Sequence, residues 1–173
     1  MSNPRKVFVG GAVVAGLAAM LAGSVTAGMI APSVEKKLRG QLVLTDAVLS
    51  TGGLKHKAAL NAIKAANKKE LKAVKKEGGV SYYAFHWTGF LRKKPRTNSL
   101  SLEFYKKEGK KFASGMSASK GLTGVNPGIT ILRGHTEITE DDGVTTGKTY
   151  KIKLVATIGN KDHLLASTVV TFK

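Results

Sequence analysis

From residue 80 onward, apolar and polar positions alternate along the chain. In VSYYAFHWTGFL, Val80 to Leu91, a period of two puts Tyr83, Phe85, Trp87 and Leu91 on one face. Tyr82, Ala84, His86 and Phe90 fall on the other. Successive strand side chains point to opposite sides, so this aromatic-rich run predicts a β-strand with one packed face. SLSLEF, Ser99 to Phe104, repeats the pattern with Leu100, Leu102 and Phe104 inward, and KKEGKK then turns around Gly109. Asn126-Pro127-Gly128 marks a turn before a strand at Ile129 to Leu132, and Glu140-Asp141-Asp142-Gly143 marks another. The last pair reads most clearly. Tyr150, Ile152, Leu154, Ala156 and Ile158 alternate along one strand, Gly159-Asn160 turns, and Leu164, Ala166, Thr168, Val170 and Phe172 alternate back.

Before residue 80 the pattern differs. Leu42-Val43-Leu44 predicts a first strand, closing near Thr51-Gly52-Gly53, and Ala31-Pro32-Ser33 reads as a linker. KHKAALNAIKAANKKELKAVKKEGG, Lys55 to Gly79, places Leu60, Ile63, Leu71 and Val74 near one helical face among many alanines. That spacing predicts a lysine-rich helix over 54–79, stopped by Gly78-Gly79. Short strands separated by turns, without helices alternating between them, indicate a mainly β fold, an antiparallel sandwich over 80–173.

The start of the chain adds a compartment. Arg5 and Lys6 precede a run from Val7 to Ala31 of 25 uncharged residues, and Val25-Thr26-Ala27 carries small residues where a signal peptidase reads. Residues 1–27 are expected to be a signal peptide, with residues 28–53 forming the linker and first strand. The alternative is an uncleaved anchor over 7–31, long enough to span a bilayer but poor in Leu and Ile. Either reading exports the remainder: to the periplasm, the cell surface or the medium.

Charge then picks out a surface. The net charge is +17, and residues 36–111 hold nineteen Lys and Arg against five Asp and Glu. Lys55 to Glu77 carries eight lysines against Glu70 and Glu77, and a second block holds Arg92, Lys93, Lys94 and Arg96, followed by Lys106 to Lys111. A field of this sign draws anions and weakens with salt. The candidate anion-binding residues are Lys64, Lys68, Lys72, Lys75, Lys76, Arg92, Lys93, Lys94 and Arg96. The partners expected are an anionic polymer, a lipid headgroup or an acidic protein. Lys55 to Gly79 holds no Trp, Phe or Tyr, which argues against deep membrane insertion and against base stacking, so specific nucleic-acid recognition is not expected.

The final hairpin resembles the end of an immunoglobulin-like or fibronectin type III-like domain. Gly147 to Ala156, the turn at Gly159-Asn160 and Ser167 to Phe172 carry the likeness. The resemblance implies a tyrosine corner at Tyr150, its hydroxyl bonding back to the preceding chain, and a core tryptophan at Trp87. It accommodates the absence of cysteine, though not as an antibody-type domain, and it leaves the lysine-rich helix as an addition.

Candidate chemistry is sparse. His56, His86, His135 and His163 show no metal-ligand spacing, and Glu137, Glu140, Asp141 and Asp142 read as a solvated turn, with calcium ligation as the alternative. No phosphate loop and no nucleophile motif is present, and Ser119-Lys120 reads as polar loop. The expectation is a non-catalytic binding or adhesion module without a cofactor. The alternative is a structural or assembly subunit in which the helix packs on the sandwich or on another copy.

Overall fold

The computed structural model describes residues 30–51 and 54–173. The expected signal or anchor lies almost wholly outside them, as does Gly52-Gly53. In chain order the elements are α1 (Pro32–Leu38), β1 (Leu42–Thr45), α2 (His56–Ala66), β2 (Glu70–Leu71), β3 (Lys75–Glu77), β4 (Val80–Phe90), β5 (Leu100–Glu108), β6 (Lys111–Phe112), β7 (Ala118–Leu122), β8 (Ile131–Thr139), a 3-10 turn (Glu140–Asp142), β9 (Thr149–Ile158) and β10 (Lys161–Phe172). The protein is mainly β, with 48% of the described residues in strands against 15% in helix.

Two sheets organise the strands. In the smaller one β4 is central. β8 pairs along one edge, from Tyr82↔Thr139 to Phe90↔Ile131, and β1 and β3 share the other edge. The larger sheet runs β2-β10-β9-β5, with β7 and β6 completing its far edge, and it curls as a half-barrel. Pairing is antiparallel except where β2 joins β10 in parallel. Hydrogen bonds from Ser167 N–H to Gly40 O (3.0 Å) and from Arg92 N–H to Leu165 O (2.9 Å) tie the sheets at one end, here called the upper end.

The alternating residues meet where their period predicts. Tyr83, Phe85, Trp87 and Leu91 from the small sheet share one buried cluster with Leu100, Leu102, Phe104, Tyr150, Ile152, Leu154, Val170 and Phe172. On the opposite face of the small sheet, Val43, Phe90 and Ile131 form a second cluster with Val34 and Leu38 of α1 and Leu60 and Ile63 of α2.

Three expectations are corrected. First, the lysine-rich helix stops at Ala66 instead of running to residue 79. Two unfilled strand edges capture the chain: at β1 Asn67 Oδ1 accepts from Leu44 N–H (3.1 Å) and Lys68 N–H donates to Leu44 O (2.8 Å), and at β10 Thr171 N–H donates to Lys69 O (2.9 Å). Beyond them Leu71 enters the main core through β2, while Val74 stands 64% exposed. The alanine and lysine propensities are thus overridden by edge pairing and by burial of Leu71. Second, Ala31-Pro32-Ser33 begins a helix rather than a linker. Proline sits in its first turn, where a missing N–H costs nothing. Third, the alternation of β10 slips. A bulge between Leu164 and Ala166 turns Leu165 inward to full burial, because the Leu165 carbonyl is taken by Arg92 N–H.

Candidate anion-binding surface

The nine basic residues singled out by charge do not form one surface. Lys64 lies on the last turn of α2, and Lys68 follows at the β1 edge. Lys72, Lys75 and Lys76 lie toward the lower end, where β3 pairs with Tyr82 to Val80. Arg92, Lys93, Lys94 and Arg96 follow the other end of β4. The eleven residues of β4, at about 3.3 Å each, separate Lys75 and Lys76 from Arg92 by about 33 Å, whereas Lys68, bonded to the Leu44 that faces Trp87, lies about 17 Å from it along the strand. Counter-ions screen exposed charges over about 8–10 Å in physiological salt, so the lower lysines act independently of the upper block.

Within the lysine segment the side chains are unequal. Lys68 Nζ lies 2.5 Å from Asp46 Oδ2 in an exposed ion pair, and Lys75 Nζ sits 4.5 Å above the Tyr82 ring. Lys64, Lys69, Lys72 and Lys76 are exposed, with no ion-pair or hydrogen-bond partner among the described residues. Their backbone is nevertheless fixed. Thr171 N–H donates to Lys69 O (2.9 Å), Lys173 N–H to Leu71 O (2.8 Å), Ala73 N–H to Lys173 O (3.0 Å) and Val74 N–H to Tyr82 O (2.8 Å). The segment borders an open groove of about 540 Å³ lined by Asp46, Asn67 to Val74 and Ala84. A stitched ribbon therefore presents cations without the flexibility of a loop.

At the upper end Lys93 Nζ approaches His163 Nδ1 at 2.9 Å. The Arg92 side chain lies against Gly40, where a Cβ would come within 2.7 Å of its Nε.

The two residues assigned structural roles are both in the core. Tyr150 is fully buried, its hydroxyl accepts from Thr145 N–H at 2.9 Å, and its ring meets Phe172 edge-on at 5.4 Å. Trp87 donates from Nε1 to Thr136 Oγ1 at 3.0 Å and lies over Gly134, where a Cβ would fall 2.4 Å from the indole.

The acidic turn is occupied with its own backbone. Glu140 accepts from the N–H groups of Thr146 and Ser81, each at 3.1 Å, and those bonds, Thr146 first, hold its carboxyl down at about 2. Asp142 accepts from Thr139 N–H and from Lys120 Nζ, both at 2.8 Å. Among the described residues no group of three or more His, Asp or Glu is placed to hold a metal ion.

On the outside of the small sheet the register brings together a group that sequence spacing missed. His86 faces His135 and Thr88 faces Arg133 across adjacent strands, although nearly fifty positions separate each pair. Only the pairing of β4 with β8 could have revealed it. No protein-family model matches the chain, and comparison with curated proteins finds no match.

Proposed function

We propose that the protein is an exported, non-catalytic binding module of the immunoglobulin-like and fibronectin type III-like class, and that the segment Lys64 to Lys76 engages an anionic polymer or a cell-envelope surface. The pairing pattern supports the class. β1, β4 and β8 in one sheet with β5, β9 and β10 in the other match strands A, B, E and C, F, G of such sandwiches. The Tyr150 hydroxyl, bonded five residues upstream at the start of β9, supports it further.

The observation that carries the binding role is the set of exposed, unpartnered lysines, Lys64, Lys69, Lys72 and Lys76, on hydrogen-bonded backbone. Charges already held in place lose little entropy on meeting a polyanion, and a lysine ammonium neutralises phosphate, sulfate or carboxylate without demanding a fixed geometry. The test is retention on heparin over a salt gradient. Changing these four lysines to Gln should lower affinity several-fold at low salt. On duplex DNA it should reduce the salt slope by about 0.9 for each phosphate contact removed. Unchanged retention would refute the assignment.

A structural role as an assembly subunit is the second reading. Val48 is 63% exposed beside Ala62, Ala65 and Ala66, which line an open groove of about 570 Å³ next to α2. A second copy seated there would give a salt-insensitive dimer in sedimentation, and Val48→Glu would dissociate it.

A further inference from the structure

The outer face of the small sheet carries a second cationic group, beside the groove that the lysine ribbon borders at Ala84. In register along β4 and β8 stand Thr88 with Arg133, His86 with His135, and Ala84 with Glu137. Arg133, His135 and Glu137 alternate on β8, so they share one face, the face that also bears His86. The two imidazole rings lie 4.8 Å apart, centre to centre, at 51°.

Arg133 is the anomaly. It is partly buried, its Nε is fully enclosed, and that N–H has no hydrogen-bond partner among the described residues. No carboxylate among them pairs with the guanidinium. Glu137 lies two strand positions beyond His135, and Asp46, which follows the Thr45 that faces His86, is paired with Lys68. A desolvated cation without a counter-charge is costly, and so is an enclosed donor without an acceptor. An anion received by the rest of the guanidinium would relieve the first cost.

We propose that Arg133, His135 and His86 form a binding site for a phosphate group, strengthened when His86 takes up a proton. The guanidinium and the imidazoles are all donors when charged, and N⁺–H···O⁻ bonds of about 2.8 Å suit the several oxygens of a phosphate. A metal ion is the poorer fit because Arg133 would repel it. Burial, and then repulsion from His135, hold the His86 pKa below its ordinary value, so near neutral pH Arg133 acts with little help. Acidification charges His86. Arg133 opposes that protonation; Glu137 and a bound anion favour it; Lys68, held by Asp46, lies on the β1 side, and Lys75 covers Tyr82 farther down the face.

This inference is independent of the lysine ribbon. It is tested on the full chain by calorimetric titration with inorganic phosphate at about pH 5.5 and about pH 8, either side of the histidine range. Sulfate, whose charge is constant there, serves as a parallel probe. One anion should bind per chain at the lower pH, about tenfold more weakly at the higher. Arg133→Gln should abolish binding. His86→Gln should remove most of the pH dependence even if Arg133→Gln fails to fold. The quadruple lysine variant should bind phosphate normally, which separates this site from the ribbon. Phosphatidylglycerol vesicles that displace phosphate would assign the site to lipid headgroups; vesicles that do not would assign it to soluble phosphate compounds. No saturable heat at the lower pH, or equal affinity in both site variants, would overturn the proposal.

Discussion

At the scale of single residues, two contacts in the core make separable claims. Tyr150 contributes ring packing on Phe172 and an acceptor for Thr145 N–H. Tyr150→Phe keeps the first and removes the second. Thr145 lies near solvent, so water can partly replace the lost acceptor, and the expected cost is about 1 kcal/mol in urea unfolding. Gly134 is required for a different reason. Its φ is unremarkable, but the Trp87 indole occupies the space a side chain would need. Gly134→Ala must push the indole away and stretch its bond to Thr136, an overpacking cost of about 1–3 kcal/mol. Trp87 is the only tryptophan in the chain, so its emission reports this directly: a red shift in the folded variant is expected, and an unchanged spectrum with unchanged stability would contradict the packing argument.

At the scale of elements, legibility followed the range of the forces involved. β4, β5 and β9 could be read because a period of two over six or more residues needs only one buried face to enforce it. The segment after Ala66 could not be read. Its composition is helical, whereas its fate depends on the free edges of β1 and β10, which local sequence does not contain. The bulge at Leu165 was hidden similarly, since Leu164 and Leu165 are equally apolar and only the Arg92 N–H decides between them. The acidic turn shows such long-range control in its titration. Glu140 binds N–H groups from the turn after it and from the start of β4, and its pKa near 2 lies below the unfolded value near 4.5. Its stabilisation is therefore complete above about 4.5 and disappears as pH falls toward 2. Glu140→Gln should lower the melting temperature at neutral pH, and the two proteins should converge in melts taken down that acid range. Parallel curves at all pH values would mean that the carboxylate charge is unimportant.

At the scale of the whole molecule, the +17 charge was plain in the sequence while its geometry was not. Composition placed the lysine segment and the Arg92 to Arg96 block in one candidate set, yet β4 holds Lys76 about 33 Å from Arg92, three or more screening lengths in physiological salt. Conversely, His86, His135 and Arg133 had no shared signal in sequence and were assembled by one strand pairing. The separation of the two basic ends has a thermodynamic consequence. With a sulfated oligosaccharide shorter than β4, neutralising Arg92, Lys93, Lys94 and Arg96 should leave the loss caused by changing Lys76 to Gln unaltered to within about 0.3–0.5 kcal/mol, the additivity expected of distant sites. A double-variant cycle by calorimetry measures that difference. A coupling well above this range would mean that the two ends meet on one ligand, which requires a second copy of the chain to bring them together.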